Sequence, residues 1–367
     1  MKTLAVESMP KILVVHSSGI KSGGEVISLS IYQGLKDTFN FAFFIPCSPS
    51  KDQFSCSAQL FYSKNENLFA VFWNLRQAIL QWRPDIVQAH GTRAALFVKL
   101  VKLSLRHYHF KFIYTVHGFH LAHKKHLLDR IAFFIERLTN RLVDVIVCVG
   151  QDDYRLMNKV MKGRGPKIML IKNGVISIRP RHDKDLEQLR QHSKYLVMTI
   201  CRLHYQKNVA NLIEAFQFLD NNFNLVIIGD GPQLSSLQCL ARDLKLSERI
   251  FFEGNKPDAS SLIHYCDVFC LSTHWEGLPL VLLEAMVSRV PVVASNVHGV
   301  REIVRDNVTG WLFETDYAQE VSNKIMQAVS NKTARDYIIE QAYELVLAEY
   351  NMGQMIDGYK KLYKSVL

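Results

Sequence analysis

This chain has no Cys-x-x-Cys. Its cysteines, Cys47, Cys56, Cys148, Cys201, Cys239, Cys266 and Cys270, are odd in number and scattered. That pattern argues against a zinc site or a disulfide scaffold and for reduced thiols in a cytoplasmic setting. No apolar run approaches the ~18 residues that a spanning helix needs. The ten residues before Lys11 hold no apolar signal-peptide core, so no secretory leader is expected. Repeats shorter than a domain and low-complexity segments are also absent.

Acid is scarce in one half only. Residues 1–178 hold 24 Lys and Arg against 11 Asp and Glu, whereas residues 179–367 hold 20 against 23. The formal charge of +10 therefore belongs to the first half. A basic half suits nucleic acid, an anionic lipid surface or a phosphorylated acceptor. No nucleic-acid motif accompanies the charge, so no nucleic-acid partner is expected.

What is present reads as a globular enzyme, 48% hydrophobic and 21% charged, whose 367 residues are too many for one ordinary core. Short apolar runs alternate with helical patterns. "KILVVHSS", "FAFFIPC", "DIVQAHG", "FIYTVHG", "VDVIVCVG" and "KIMLIKNG" read as buried strands, with helical stretches at 66–82, 92–105 and 121–141 among them. The polar stretch "RPRHDKDLEQLRQHSK" has no strand signal and reads as a linker, 179–194. Strands then resume with "YLVMTICRL", "LVIIGDG", "RIFFEG", "VFCLST", "VPVVAS" and "GWLFE". Continuous apolar strands separated by helices indicate parallel sheets covered on both faces. The expected organisation is an α/β domain over 1–178, the linker, and a second α/β domain over 195–350. Residues 351–367 form a final helix, with Met355, Ile356, Tyr359, Leu362 and Tyr363 at helical spacing, that has the option of packing back on the first domain. Ligands of doubly wound sheets lie at the carboxyl ends of the strands, so a cleft between the domains is the expected site.

One acid is out of place. In "STHWEGLPLVLLEAM", Ser272 to Met286, Glu284 interrupts an apolar run. A buried, unpaired carboxylate is costly, so Glu284 needs a partner or a ligand. Pro279 suits the first turn of a helix, which makes Gly277-Leu278 the turn into a helix running to about Ser288. The free N–H groups of that turn form an anion site, and Gly277 admits a ligand to the backbone. Carboxylates repel phosphates but take paired O–H bonds from a diol. Glu276 and Glu284 on either side of an anion site therefore describe a nucleotide diphosphate sugar. Arg202 and Lys207 of "CRLHYQKN" supply cations for its phosphates.

The E-x7-E from Glu276 to Glu284, preceded by "RLHYQKN" and "IIGDGP" and followed by "PVVAS" and "TGWLFE", resembles the retaining glycosyltransferases of family four. The match in order and spacing covers roughly 195–315. The first half matches more loosely through "SGGE", "AHGTRA" and "TVHG". The resemblance implies the GT-B fold, two Rossmann-like doubly wound domains facing each other across a cleft. It also implies residue roles. Arg202 and Lys207 hold the donor diphosphate, with the backbone amides of Gly277, Leu278 and Leu280. Glu284 holds the ribose hydroxyls and Glu276 those of the transferred sugar. Gly23-Gly24 approaches the diphosphate from the opposite domain, His117 lies near the donor sugar and the attacking hydroxyl, and Gly254 and Lys256 lie at the nucleobase edge. His117, Arg202, Lys207 and Glu276 are the expected catalytic set.

This sequence departs from the family at three places. Cys201 and Arg289 stand where glycines are usual, and Val26 follows Glu25 where many members have Arg. A non-Gly residue at 289 must bear positive φ or end its helix another way. Bland readings stand beside the sharp ones. Glu284 could pair with a core Arg, and His117 could be a satisfied core histidine. His90 divides between loop capping and an acceptor contact, whereas His16 and His120 carry too little signal to use. Asp183-Lys184-Asp185 lies in the linker and reads as solvated, not as a metal motif. "GDGPQL" lacks the third glycine of a dinucleotide fingerprint.

The function the resemblance implies is transfer of a sugar from a nucleotide-diphosphate sugar to a glycan or lipid-linked acceptor in polysaccharide or lipopolysaccharide assembly. Retention of configuration is expected, with no metal and no cofactor. A nucleotide-sugar 2-epimerase and a non-catalytic partner subunit are the rivals. The basic first half suggests peripheral attachment at the inner face of a cytoplasmic membrane through 99–111 and 121–141. A helix over 121–141 would bury Leu127, Leu128, Ile131, Phe134, Ile135 and Leu138 and leave Lys124, Lys125, Arg130 and Arg137 towards water.

Overall fold

The structure is a computed structural model that describes residues 9–16, 23–47, 57–65, 67–105, 107–118, 135–161 and 165–367. It divides into two units, one made of Met1–Asn173 with Gly353–Leu367 and the other of Gly174–Met352.

The first unit is built on seven parallel strands: β1 (Lys11–Val15), β2 (Asn40–Ile45), β3 (Gln59–Tyr62), β4 (Ile86–His90), β5 (Lys111–Val116), β6 (Val145–Cys148) and β7 (Lys167–Leu170). Their order is β3-β2-β1-β4-β5-β6-β7. The chain moves one way from β1 to β3, then returns past β1 and moves the other way. The reversal between β1 and β4 opens a crevice at the carboxyl ends of the strands. Helices cover both faces, which is why β1 is apolar after Lys11, with Ile12, Leu13, Val14 and Val15 all buried. β3 is absent from the sequence reading. It is a four-residue edge strand paired only to β2 and partly exposed, so it lacks the continuous apolar run of the central strands.

The helix Met352–Val366 belongs to this unit, although it ends the chain. Met355, Tyr359, Leu362 and Tyr363 are buried. The Tyr363 hydroxyl donates to the Gln88 side-chain oxygen, and its ring meets Phe39 edge-on at 5.4 Å. Gly34 lies under Ile356. A Cβ at Gly34 would come within 2.6 Å of Ile356 Cδ1, so glycine sets how closely the helix packs.

Most of the helix expected over 121–141 lies outside the described residues. Over 135–139, which is helical, Arg137 is exposed as expected, but the apolar side chains do not face inward. Ile135 and Leu138 are about half exposed, and Glu136 is buried. The acid is accommodated by polar partners. Tyr114 donates to it at 3.1 Å, and the buried Lys99, itself bonded to Asn140 at 2.7 Å, lowers the cost of its charge.

The second unit holds six parallel strands: β8 (Tyr195–Ile200), β9 (Phe223–Ile228), β10 (Ile250–Gly254), β11 (Val268–Leu271), β12 (Val292–Ser295) and β13 (Trp311–Phe313). The order β10-β9-β8-β11-β12-β13 again reverses beside the first strand, between β8 and β11. The stretch 179–194, expected to be a solvated linker, contains a helix, Lys184–His192, folded onto this unit. Asp183 caps it by accepting from the Leu186 N–H at 3.2 Å, and Leu186 is buried. Arg190 reaches Asp267 at 3.0 Å. One buried leucine leaves too faint a stripe to be read in a polar sequence.

Candidate functional site

In the second unit the site follows from strand order. β8 and β11 are neighbours, so the segments after them, "CRLHYQKN" and "STHWEG", meet although 69 positions separate Lys207 from Glu276. Lys207 Nζ lies 2.5 Å from Glu276 Oε1, with the two side chains only 20% and 9% exposed. Burial disfavours the Lys207 ammonium, but the Glu276 carboxylate outweighs it and holds the pKa above the ordinary lysine value. The two segments are sewn together. Gln206 Nε2 donates to the Trp275 carbonyl at 2.7 Å, the His274 N–H to the Gln206 carbonyl at 2.8 Å, and the Ser272 hydroxyl to the Asn208 carbonyl at 3.0 Å. Arg202 is exposed, and its guanidinium has no partner among the described residues.

The helix Leu280–Val287 begins one residue later than expected. Pro279 is extended (φ −73°, ψ 106°) and occupies the capping position, not the first turn. A proline offers no capping side chain, so the N–H groups of Leu280 and Val281 have no side-chain cap, whereas the Leu282 N–H bonds the Pro279 carbonyl at 3.1 Å. Leu282, Leu283, Ala285 and Met286 face the core. Glu284 is half-buried among them, and burial pushes its carboxyl up to about 7.

The turns behind the site depend on glycines. Gly299 (φ +79°) packs where a Cβ would come within 2.0 Å of the Gly277 carbonyl oxygen and 2.7 Å of that of Glu276. The sequence reading did not single it out. Gly254 (φ +62°) has open space where its Cβ would be. Lys256 is held by Asp183 at 2.9 Å and Glu253 at 3.0 Å. Cys201 needs no positive φ, whereas Arg289 bears φ +58°. The Arg289 guanidinium meets both oxygens of Glu340 and lies 3.9 Å over the Tyr343 ring, which holds the left-handed residue in place.

In the first unit, β1, β4 and β5 are consecutive neighbours, and each ends in or is followed by a histidine: His16, His90 and His117. The rings form a row, with centroids 5.5 Å apart for His16–His90 and 5.2 Å for His90–His117. His90 Nδ1 and His117 Nε2 are hydrogen-bonded at 2.9 Å. Ser28 Oγ lies 3.0 Å from His16 Nε2. Gly24 opens the helix Gly23–Leu35 against the edge of His117, where a Cβ would come within 3.2 Å of Nε2. The motifs "SGGE", "AHGTRA" and "TVHG" thus converge on one place, though Ser22 lies outside the described residues. Burial keeps all three imidazoles neutral, lowering His16 to about 3 and His117 to about 4 and holding His90 well below the ordinary value. The sequence reading set His16 aside. A histidine closing each of three apolar runs is the one signal the sequence carries for it; that the three strands are neighbours comes from the sheet order.

Among the described residues, no group of three or more His, Cys, Asp or Glu is placed to hold a metal ion, and no helix is long and apolar enough to cross a membrane.

Residues 181–345 match the family described as glycosyl transferases group 1, and residues 42–177 match Glycosyltransferase Family 4. The chain is 28% identical over 271 residues to the putative glycosyltransferase EpsD of Bacillus subtilis, covering 70% of this chain and 71% of that protein. It is 27% identical to the UDP-Gal:alpha-D-GlcNAc-diphosphoundecaprenol alpha-1,3-galactosyltransferase of Escherichia coli, covering 68% of each. Its fold is similar to that of Anabaena Alr3699/HepE in complex with UDP-glucose, with a TM-score of 0.83 at 20% identity over 97% of this chain and 99% of that one.

Proposed function

The chain belongs to the GT-B glycosyltransferases, a Family 4 domain followed by a group 1 domain, and from that premise we propose that it moves a sugar from a nucleotide-diphosphate donor to a lipid-linked glycan acceptor with retention of configuration. The observation that carries this reading is the Lys207–Glu276 pair, beside unpaired Arg202 and the helix that holds Glu284. A diphosphate takes Arg202, Lys207 and the first-turn amides, and the donor's ribose takes Glu284. Glu276, released from Lys207 by the incoming phosphates, turns to the hydroxyls of the sugar. Negative charge grows on the leaving phosphate, and these preorganised donors meet it without a metal ion. Attack comes from the leaving-group side, with the departing phosphate accepting the proton of the acceptor hydroxyl.

The similarity to a galactosyltransferase named for a diphosphoundecaprenol acceptor supports cell-surface polysaccharide or lipopolysaccharide assembly as the setting. We place the enzyme against the inner, anionic face of the cytoplasmic membrane. Support comes from the basic first half and from exposed Leu96, Leu100 and Leu103 on the helix Thr92–Ser104. The test of function is nucleotide release from a panel of nucleotide sugars, with and without lipid-linked glycan and with EDTA. Acceptor-dependent release that survives chelation is expected. Epimerised donor without acceptor, or no turnover of any donor, overturns the reading.

A further inference from the structure

We propose that His90 is a positioning residue that locks His117 in its Nδ1–H tautomer, so that His117 serves as a hydrogen-bond donor to the substrate and not as a base. The inference deepens the transferase reading and rests on it for the identity of what His117 meets.

Ser28 Oγ donates to the Glu25 carbonyl at 2.9 Å, so its lone pair accepts from His16 Nε2–H at 3.0 Å. His90 lies between His16 and His117 and is 3% exposed. Its Nε2 is buried with no hydrogen-bond partner among the described residues. Two arrangements are open for the 2.9 Å bond between His90 Nδ1 and His117 Nε2. If His117 donated, His90 would carry its proton on Nε2, and an N–H would be stranded in the interior. If His90 donates from Nδ1, its Nε2 keeps only a bare lone pair. Orphaned buried N–H groups are rarer in proteins than under-satisfied acceptors, so the second arrangement is favoured. His117 then accepts at Nε2, and its proton must sit on Nδ1.

The consequence is chemical. His117 Nε2 has its lone pair committed, and Nδ1 already carries hydrogen. The ring has no site to accept a proton from an acceptor hydroxyl. Nδ1 makes no hydrogen bond among the described residues, so its N–H is free to donate to a sugar hydroxyl or to a developing oxyanion. A Cβ at Gly24 would come within 3.2 Å of His117 Nε2, so glycine lets the helix Gly23–Leu35 lie close to that edge of the ring. The neutrality that burial imposes on all three rings agrees with this, because an imidazolium would donate from both nitrogens.

Two-bond proton–nitrogen correlation spectra of the full-length protein, labelled with ¹⁵N-histidine, read which nitrogen is protonated. Wild type should show His117 protonated at Nδ1. His90→Asp, which only accepts, should invert His117 to Nε2–H and lower turnover by about 10–100-fold, the scale for removing the partner that orients a working imidazole. His90→Asn keeps an N–H near the position of Nδ1 and should restore both the tautomer and much of the turnover lost in His90→Asp. A wild-type His117 protonated at Nε2, or a His117 tautomer unchanged by His90→Asp, overturns the proposal. The wild-type spectrum decides the matter even if a variant fails to fold. It is also independent of the donor-release assay, so failure of the transferase reading would be recognised separately.

Discussion

Glu284 is one side chain with two measurable consequences. Burial raises its carboxyl from 4.5 to about 7. Between those values the folded protein holds a proton that the unfolded chain has lost. Stability is therefore highest below pH 4.5 from this group, falls as pH rises through about 7, and is flat beyond. A donor diol favours the charged form, so donor affinity should run the opposite way, rising to about pH 7 and then levelling. Calorimetry in buffers of different ionisation enthalpy should detect proton release on binding. Glu284→Gln should abolish that release and weaken binding by about 1.5–3 kcal/mol. Binding that rises as strongly with pH in Glu284→Gln would remove Glu284 from the ribose. Arg202→Ala belongs to the same scale. It should leave donor binding nearly intact and lower turnover about 10²–10³-fold, because phosphate charge grows towards the transition state. Unchanged turnover would sink the phosphate assignment. Glu276, Glu284, Arg202 and Lys207 could be singled out as candidates because their motifs are local to two strand ends, and the structure pairs two of them, Lys207 and Glu276. The histidine row was not, because it depends on β4 lying between β1 and β5, and that register is invisible in any window of the sequence.

At the scale of elements, the central strands were legible because burial on both faces leaves an unbroken apolar run. The misses have two physical origins. β3 is a half-exposed edge strand with no continuous apolar run, whereas the helix Lys184–His192 and the segment 135–139 each bury a side chain that composition does not advertise. Glu136 is the sharpest case, a buried acid that takes a hydrogen bond from Tyr114 on one oxygen and the electrostatic help of Lys99, both on other elements, while its second oxygen has no partner among the described residues. The helix Met352–Val366 was legible as a helix, but its contribution to the first unit is a matter of packing. It buries Met355, Tyr359, Leu362 and Tyr363. Each such side chain contributes roughly 1.5–3 kcal/mol, and a domain's whole stability is about 5–15 kcal/mol. A chain ending at Asn351 should therefore lose its first unit. Proteolysis should cut within residues 9–161 while the second unit stays protected. Equal protection of both units would show that the final helix is dispensable.

Over the whole molecule the charge is lopsided, and the placement of the side chains changes how that charge would act at a membrane. Lys99 is buried, and Lys102 pairs with Asp144 at 2.8 Å, so neither is a free base for a leaflet. Arg106, Lys124 and Lys125 lie outside the described residues. What the helix Thr92–Ser104 offers to water is Leu96, Leu100 and Leu103 with Arg93. The helix Leu68–Trp82 adds exposed Leu68, Phe69 and Trp73, with Arg76 lying 5.5 Å over the Trp73 ring. Membrane attachment through this unit would therefore be mixed, apolar side chains entering the headgroup region while bases add about 1 kcal/mol each on an anionic leaflet. Binding to vesicles containing phosphatidylglycerol should weaken with salt but persist in part, since only the electrostatic share is screened. Leu96→Glu combined with Leu100→Glu should remove the salt-resistant share and leave nucleotide binding unchanged. Lys102→Glu is the wrong probe, because it would set two acids side by side at Asp144 and disturb the fold. Equal retention on neutral and anionic vesicles, or none on either at low salt, would remove the membrane from the proposed function and leave the sugar transfer standing.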